Sequence, residues 1–188
     1  MKWQARGLIL GLVAMAAGMS GACAADKEGS DSKDVAGITK AVCVLKATAG
    51  NHVSGTVTFT QQKDGVLVEA HVTGLKPNSK HGFHIHQFGD ISSPDGKSTG
   101  GHFNPEKMEH AGPNSMKRHW GDLGNLEADA NGTANYRRLD KVIQLHGEHT
   151  ILSRGITIHA GEDDLKSQPT GAAGSRIAVG VIGLAKSE

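Results

Sequence analysis

A chain of 188 residues has room for one ordinary domain and a tail, and can bury a real core without covalent staples. Its formal net charge of +1 excludes the strongly basic surface of a nucleic-acid binder, so no nucleic-acid partner is expected. Aromatic residues make up only 4% and the 26 glycines are scattered without period, about twice average usage, which asks for many turns.

The chain opens with Lys2 and Arg6 ahead of an apolar run over 7–19 and then Ala22-Cys23-Ala24. A positive start, an apolar run too short to span a bilayer and an Ala-x-Ala site describe an export signal over 1–24, removed before Ala25. The protein is therefore expected to be exported, to a periplasm or the extracellular space. A competing reading makes Cys23 the acylated first residue of a lipoprotein, but Ser20 stands where such sites want a branched aliphatic residue. Residues 25–37 are polar and turn-rich with almost nothing to bury, and read as a flexible leader. The remainder, 38–188, is expected to form one domain.

Beyond the N-terminus no stretch of ten or more residues carries a helical stripe, and short strands follow one another. A β-branched run spans 38–46; 52–61 alternates through Val53, Val57 and Phe59; 66–73 places Val66, Val68, Ala70 and Val72 on one face. Three strands joined by glycine-bearing turns predict an antiparallel meander. The fourth strand carries His81-Gly82-Phe83-His84-Ile85-His86. Strand side chains alternate, so His84 and His86 share one face, about 7 Å apart, with Phe83 and Ile85 on the other. An isolated His-x-His is as easily a solvated pair as a metal half-site. A segment without periodicity then runs from 87 to about 122. Regular structure resumes as a hairpin, 126–129 and 133–137 around Asn131-Gly132, followed by strands at 151–159 and 176–185. About eight antiparallel strands with two long functional loops imply an all-β chain, either a flattened Greek-key barrel or an immunoglobulin-like sandwich.

The long loop changes the reading of the histidine pair. His102, His110, His119 and Asp122 fall within 21 residues, punctuated by Gly and Pro, and three imidazoles with a carboxylate fit a closed tetrahedral zinc site. His159, at a strand end, can join His84 and His86. Two four-coordinate metals need eight ligand slots, so these seven donors suffice only if one imidazole bridges both ions.

With these motifs assembled, the chain resembles the copper/zinc superoxide dismutases over 39–186, through His-Gly-Phe-His-Ile-His-Gln-Phe-Gly-Asp, Gly-His-Phe-Asn-Pro, Gly-Asp-Leu-Gly-Asn and Ala-Gly-Ser-Arg-Ile-Ala-Val-Gly-Val-Ile-Gly. It is similar to the eukaryotic rather than the common periplasmic bacterial branch. The resemblance implies copper on His84, His86, His102 and His159, zinc on His102, His110, His119 and Asp122, and His102 as the bridge. It implies that Asp163 orients His84 and His110, that His81 is a hydrogen-bonded neighbour, that Thr170 lines the channel, and that Arg176 docks superoxide. Two superoxide anions would alternately reduce and reoxidise the copper, leaving as dioxygen and hydrogen peroxide. His52, His71, His146 and His149 match no site and are expected on the surface. The rival reading is a non-catalytic copper/zinc buffer or chaperone-like module on the same fold.

The chain departs from the family in three ways. The loop between Leu165 and Arg176 is shorter and lacks the glutamate pair and second steering lysine, leaving Lys166. Trp120 stands beside His119 where a small aliphatic residue is usual. The family's disulfide has no counterpart: residues 91–101 contain no cysteine and the final-strand position is Val179. Pro94, apolar packing at Val179 and the metals are expected to secure that loop, with Cys43 a buried, inert thiol. The resemblance further implies a two-fold homodimer through 88–90, 181–184 and the segment with Leu152 and Ser153, and no membrane span.

Overall fold

A computed structural model describes residues 37–186. The expected export signal, Cys23 and the leader up to residue 36 lie outside the described residues. Eight strands are formed: β1 (Lys40–Ala47), β2 (Ser54–Gln62), β3 (Gly65–Thr73), β4 (Lys80–His86), β5 (Asp122–Glu127), β6 (Ala134–Asp140), β7 (Gly155–His159) and β8 (Arg176–Leu184), with one short 3-10 turn at Lys97–Thr99. They make a single antiparallel sheet in the order β5-β4-β7-β8-β1-β2-β3-β6, curled into a nearly closed barrel. Among the described residues no helix is long and apolar enough to cross a membrane.

The meander β1-β2-β3 forms as its alternation requires, Val57 opposing Cys43 on one side and Ala70 on the other. Val57, Phe59, Val66, Val68 and Val72 turn inward and are fully buried, each such side chain contributing about 1.5–3 kcal/mol of transfer free energy. Phe83 and Ile85 enter the same core from β4, with Leu123, Leu126, Ile156 and Ile158 from β5 and β7.

Two expectations are corrected. The reversal at Asn131-Gly132 exists, with Asp129 N donating to Thr133 O at 2.8 Å, but the strands it joins do not form a ladder. β5 pairs with β4 and β6 with β3, at opposite ends of the sheet order. Turn chemistry supplies a reversal without choosing the ladder partner: Leu75 N donates to Gly132 O, drawing the turn onto the β3–β4 connection. The strand expected over 151–159 begins only at Gly155. Residues 151–154 form a turn with Ser153 at positive φ and Arg154 N bonded to Ile151 O.

β4 and β7 are buried on both faces over nearly their whole length. Their inner face meets the barrel core, and the long segments 87–121 and 160–175 cover the outer face. The first cover is fastened without a disulfide. Cys43, the one cysteine among the described residues, is buried and unpaired, and burial pushes its thiol up to about 12. Ala49 N donates to Pro94 O at 2.8 Å and Ser98 Oγ to Asp90 O at 2.7 Å. Gly96, at φ 72, lies so close to Val179 that a Cβ would come within 2.8 Å of its Cγ1. Pro94 and Val179 thus act as expected, Pro94 through its carbonyl. With no bond to reduce inside the domain, thermal melts of the metal-loaded protein with and without millimolar dithiothreitol should superimpose. A drop caused by reductant alone, with metal content unchanged, would reveal a bridge between chains through Cys23 or Cys43.

Candidate metal centre

His84 and His86 are set on the outer face of β4 and His159 at the end of β7, and all three are buried. Gly82 makes room for them, because a Cβ there would press on Ala173 and reach His84 Cε1 at 3.0 Å. The long loop is stitched to β4 by backbone bonds: Phe103 N to Ile85 O at 2.8 Å, Ile85 N to Gly121 O at 2.9 Å and Gln87 N to Gly101 O at 2.9 Å. These bring His102 opposite His86 in an isolated bridge and Asp122 opposite His84.

Seven buried side chains thereby form two groups of four that share one member. His84, His86, His102 and His159 make the first, and His102, His110, His119 and Asp122 the second, the donor atoms of each lying within 4.8 Å of one another. In the first group the outward nitrogens are all engaged. His86 Nδ1 donates to Gly100 O and His159 Nδ1 to Gly174 O, both at 2.9 Å, while His84 Nε2 lies 2.8 Å from Asp163 Oδ2. The inner nitrogens face each other, with His86 Nε2 and His159 Nε2 3.4 Å apart. In the second group Asp122 Oδ1 lies 2.8, 3.0 and 3.2 Å from Nδ1 of His102, His110 and His119.

Buried His84 Nδ1 and His102 Nε2 have no hydrogen-bond partner, and His110 Nδ1, though 3.0 Å from Asp122 Oδ1, makes no well-aligned hydrogen bond. A buried polar nitrogen without a partner is costly, and here every such imidazole atom points into one of the two groups. The donor chemistry separates them: four imidazoles suit copper, and three imidazoles with a carboxylate suit tetrahedral zinc. His102 turns Nδ1 to the carboxylate group and leaves Nε2 for the other, the arrangement a bridging ligand needs.

The supports are as specific as the donors. Asp163 spans both groups, its Oδ1 2.9 Å from His110 Nε2 and its Oδ2 on His84. Its own backbone is clamped by Asn125, which donates to Asp163 O and accepts from Asp163 N. Gly171, at φ 68, passes directly over this carboxylate and leaves no space for a Cβ. His81 Nδ1 donates to His159 O at 2.8 Å. Gln168 holds His110 at both backbone atoms, accepting from its N–H and donating to its carbonyl at 2.8 Å. Buried Arg118 donates to the carbonyls of His119 and Trp120. Sequence reasoning missed Asn125, Gln168 and Arg118. Asn125 closes the Gly-Asp-Leu-Gly-Asn run and was within reach, whereas nothing in the sequence singles out Gln168.

A cavity of about 550 Å³ opens onto the first group, with His86, His159, Thr170 and Arg176 in its wall. Arg176 is held by Gly96 O at 2.5 Å, Thr99 Oγ1 at 2.8 Å and Gly100 O at 2.6 Å. Lys97 and Asp95 line the same cavity, 2.8 Å apart; Lys166 does not. Trp120 packs half-buried against Phe103 and the ring of His149, centroids 6.0 and 5.2 Å away. His149 is therefore part of a packed cluster, while His52, His71 and His146 are exposed.

Burial, reinforced by the neighbouring His102, holds the His84 imidazole down at about 3, and burial holds His159 at about 4. His86 is depressed in the same direction for the same reason. Burial also opposes the charge on His110, but the neighbouring carboxylates of Asp122 and Asp163 outweigh this and raise it to about 9. Both carboxyls are held far below the usual range by these histidines despite their burial. The first group is thus neutral and ready to ligate at pH 7. A histidine with a depressed folded-state pKa binds fewer protons folded than unfolded, so its contribution to stability is lost as pH falls below the unfolded value. The metal-free protein should therefore destabilise as pH drops from 6.5 towards 4, read as denaturation midpoints across that range. A midpoint independent of pH there would contradict the neutral histidine group.

Residues 53–182 match the family described as copper/zinc superoxide dismutase (SODC). The chain is 46% identical over 156 residues to the superoxide dismutase (Cu-Zn) of Paramecium bursaria Chlorella virus 1, covering 79% of this chain and 82% of the relative. It is also similar to a solved structure described as the clock protein EA4, with a TM-score of 0.71, 42% identity, and coverage of 78% of this chain and 95% of that one.

Proposed function

This chain belongs to the copper/zinc superoxide dismutase family, and on that footing we propose that His84, His86, His102 and His159 hold copper and His102, His110, His119 and Asp122 hold zinc. The reaction is the dismutation of two superoxide anions with two protons to dioxygen and hydrogen peroxide. The observation that carries the residue assignment is the pair of four-donor groups sharing His102, with partnerless nitrogens aimed into them. Copper, when bound, supplies the one-electron couple, while zinc is redox-silent and polarises the shared imidazole.

The chain's own residues do the remainder. Arg176, fixed by three oxygen acceptors, presents a rigid cation that docks the small anionic substrate beside His86 and His159. His102 is the residue able to hold a proton at Nε2, since its Nδ1 is committed to the Asp122 side, and that proton is one of the two the peroxide requires. Lys97, in the same cavity wall as Arg176, is ion-paired with Asp95, which leaves Arg176 as the cation of that wall able to attract an anion.

We place the protein outside the cytoplasm, in a periplasm or the extracellular space, on the strength of the N-terminal export pattern. A homodimer is supported by exposed Phe88, Val181 and Leu184, on segments drawn together where Ser153 N bonds to Ile182 O. Sedimentation velocity at micromolar concentration should show a single dimer-sized species, and monomer alone would refute the pairing. The function itself is tested by superoxide consumption. The copper- and zinc-loaded protein should turn over catalytically, and His159→Ala should lose at least about a hundredfold, the scale of a removed ligand or its support. Stoichiometric metal binding without turnover in the parent protein would make it a metal buffer instead.

A further inference from the structure

On the far side of the zinc-binding loop, the inner face of β6 ends in two charged residues, Arg138 and Asp140. Residues 113–118 cover them, and a cavity of about 240 Å³ remains between, walled by Arg118, Arg138, Lys141, Asn114, Pro113 and Met116 among others, none of them acidic. Asp140 is fully buried and Arg118 nearly so, joined at 2.5 Å. Arg138 Nε lies 3.6 Å from the same carboxylate oxygen, while the other Asp140 oxygen accepts from Val142 N and Ile143 N. Arg138 is further held by Asn114 Oδ1 and Pro113 O, so two guanidinium groups meet one carboxylate that is already saturated, and Lys141 adds a third cation to the cavity wall. Lys141 has no ion-pair partner among the described residues. The Nε–H groups of both Arg118 and Arg138 are buried without an acceptor. Buried cations and buried donors are normally matched, and here three cations stand against one carboxylate while two N–H donors lack an acceptor.

We propose that this cavity is a binding site for a small free oxyanion of the phosphate or sulfate type. A cavity of this size falls below the ~300–1,000 Å³ of drug-sized ligand sites, leaving room for a tetrahedral anion and a few waters but not for a nucleotide. Two guanidinium groups supply planar, directional donors and Lys141 a mobile point charge at the mouth, the usual complement for such an anion. The site is separate from the substrate channel, whose cation is Arg176. It bears on the metal centre through Arg118, which also holds the carbonyls of His119 and Trp120. A bound anion fixes that guanidinium and braces the segment carrying His119. By linkage, zinc and the anion then favour each other's binding.

The test is calorimetric titration of the metal-loaded protein with inorganic phosphate at fixed ionic strength. Saturable binding at one site is expected, unchanged in Arg176→Gln and weakened by roughly tenfold or more in Lys141→Gln and in Arg138→Gln, the scale of one lost charge-assisted contact. Superoxide dismutation by Lys141→Gln should equal that of the parent. Crystals grown with selenate should give an anomalous peak between Arg138 and Lys141. The proposal falls if phosphate binds the Lys141→Gln protein as tightly as the parent, if Arg176→Gln alone abolishes binding, or if no saturable binding occurs. Lys141 is exposed, so its variant carries the test even if Arg138→Gln does not fold.

Discussion

One buried carboxylate, Asp163, accepts from an imidazole of each donor group, His84 on one side and His110 on the other. Almost every peculiarity of the second long loop follows from keeping it there. Asn125 reaches across from β5 to clamp its backbone, and Gly171 passes over it because no side chain can. Such an outer carboxylate fixes the tautomer and direction of each ring. The inner nitrogens are thereby left free and converging before any metal arrives. The strain of burying unpaired nitrogens is a cost the fold carries in order to be preorganised for its ions.

Fastening the first long loop is the second constraint, and Arg176 meets it in an unexpected way. The guanidinium proposed to dock substrate gathers Gly96 O, Thr99 Oγ1 and Gly100 O, tying the loop to the start of β8. Val179, three residues along β8, packs against Gly96 from the same direction. A covalent staple typically contributes about 2–4 kcal/mol. Here several charge-assisted hydrogen bonds and one close apolar contact act at that place, so loop order depends on a side chain that also lines the cavity at the first donor group.

The loop carrying His110 and His119 is held at three points that answer different demands. Gln168 fixes the backbone at His110, Arg118 fixes it at His119 and Trp120, and the Phe103–Trp120–His149 cluster packs its outer surface. Arg138 of β6 reaches Asn114 Oδ1 and Pro113 O on this loop, and Arg118 ties the loop back to β6 through buried Asp140. A buried pair of that kind gains little net stability, but breaking it leaves an uncompensated charge. Its value to the molecule is geometric, and it leaves the neighbourhood rich in positive charge.

Much of this was legible in the chain. Period-2 alternation located the meander and its inward face, because alternation is a property of each strand alone. The seven donors were legible too, since imidazole and carboxylate at close spacing have few other uses, and counting slots against donors already required a shared imidazole. The ladder partners of β5 and β6, by contrast, depend on which edge each strand meets after the turn, and no local pattern encodes that. Nor could the sequence say that Gln168 holds His110 from 58 positions away, that Lys97 rather than Lys166 stands in the wall of the cavity at the first donor group, or that Arg118, Arg138 and Lys141 share the wall of another. Residue types determined which chemistry this protein can perform. Tertiary contacts, which join residues by space and not by spacing, decided which side chains aim it.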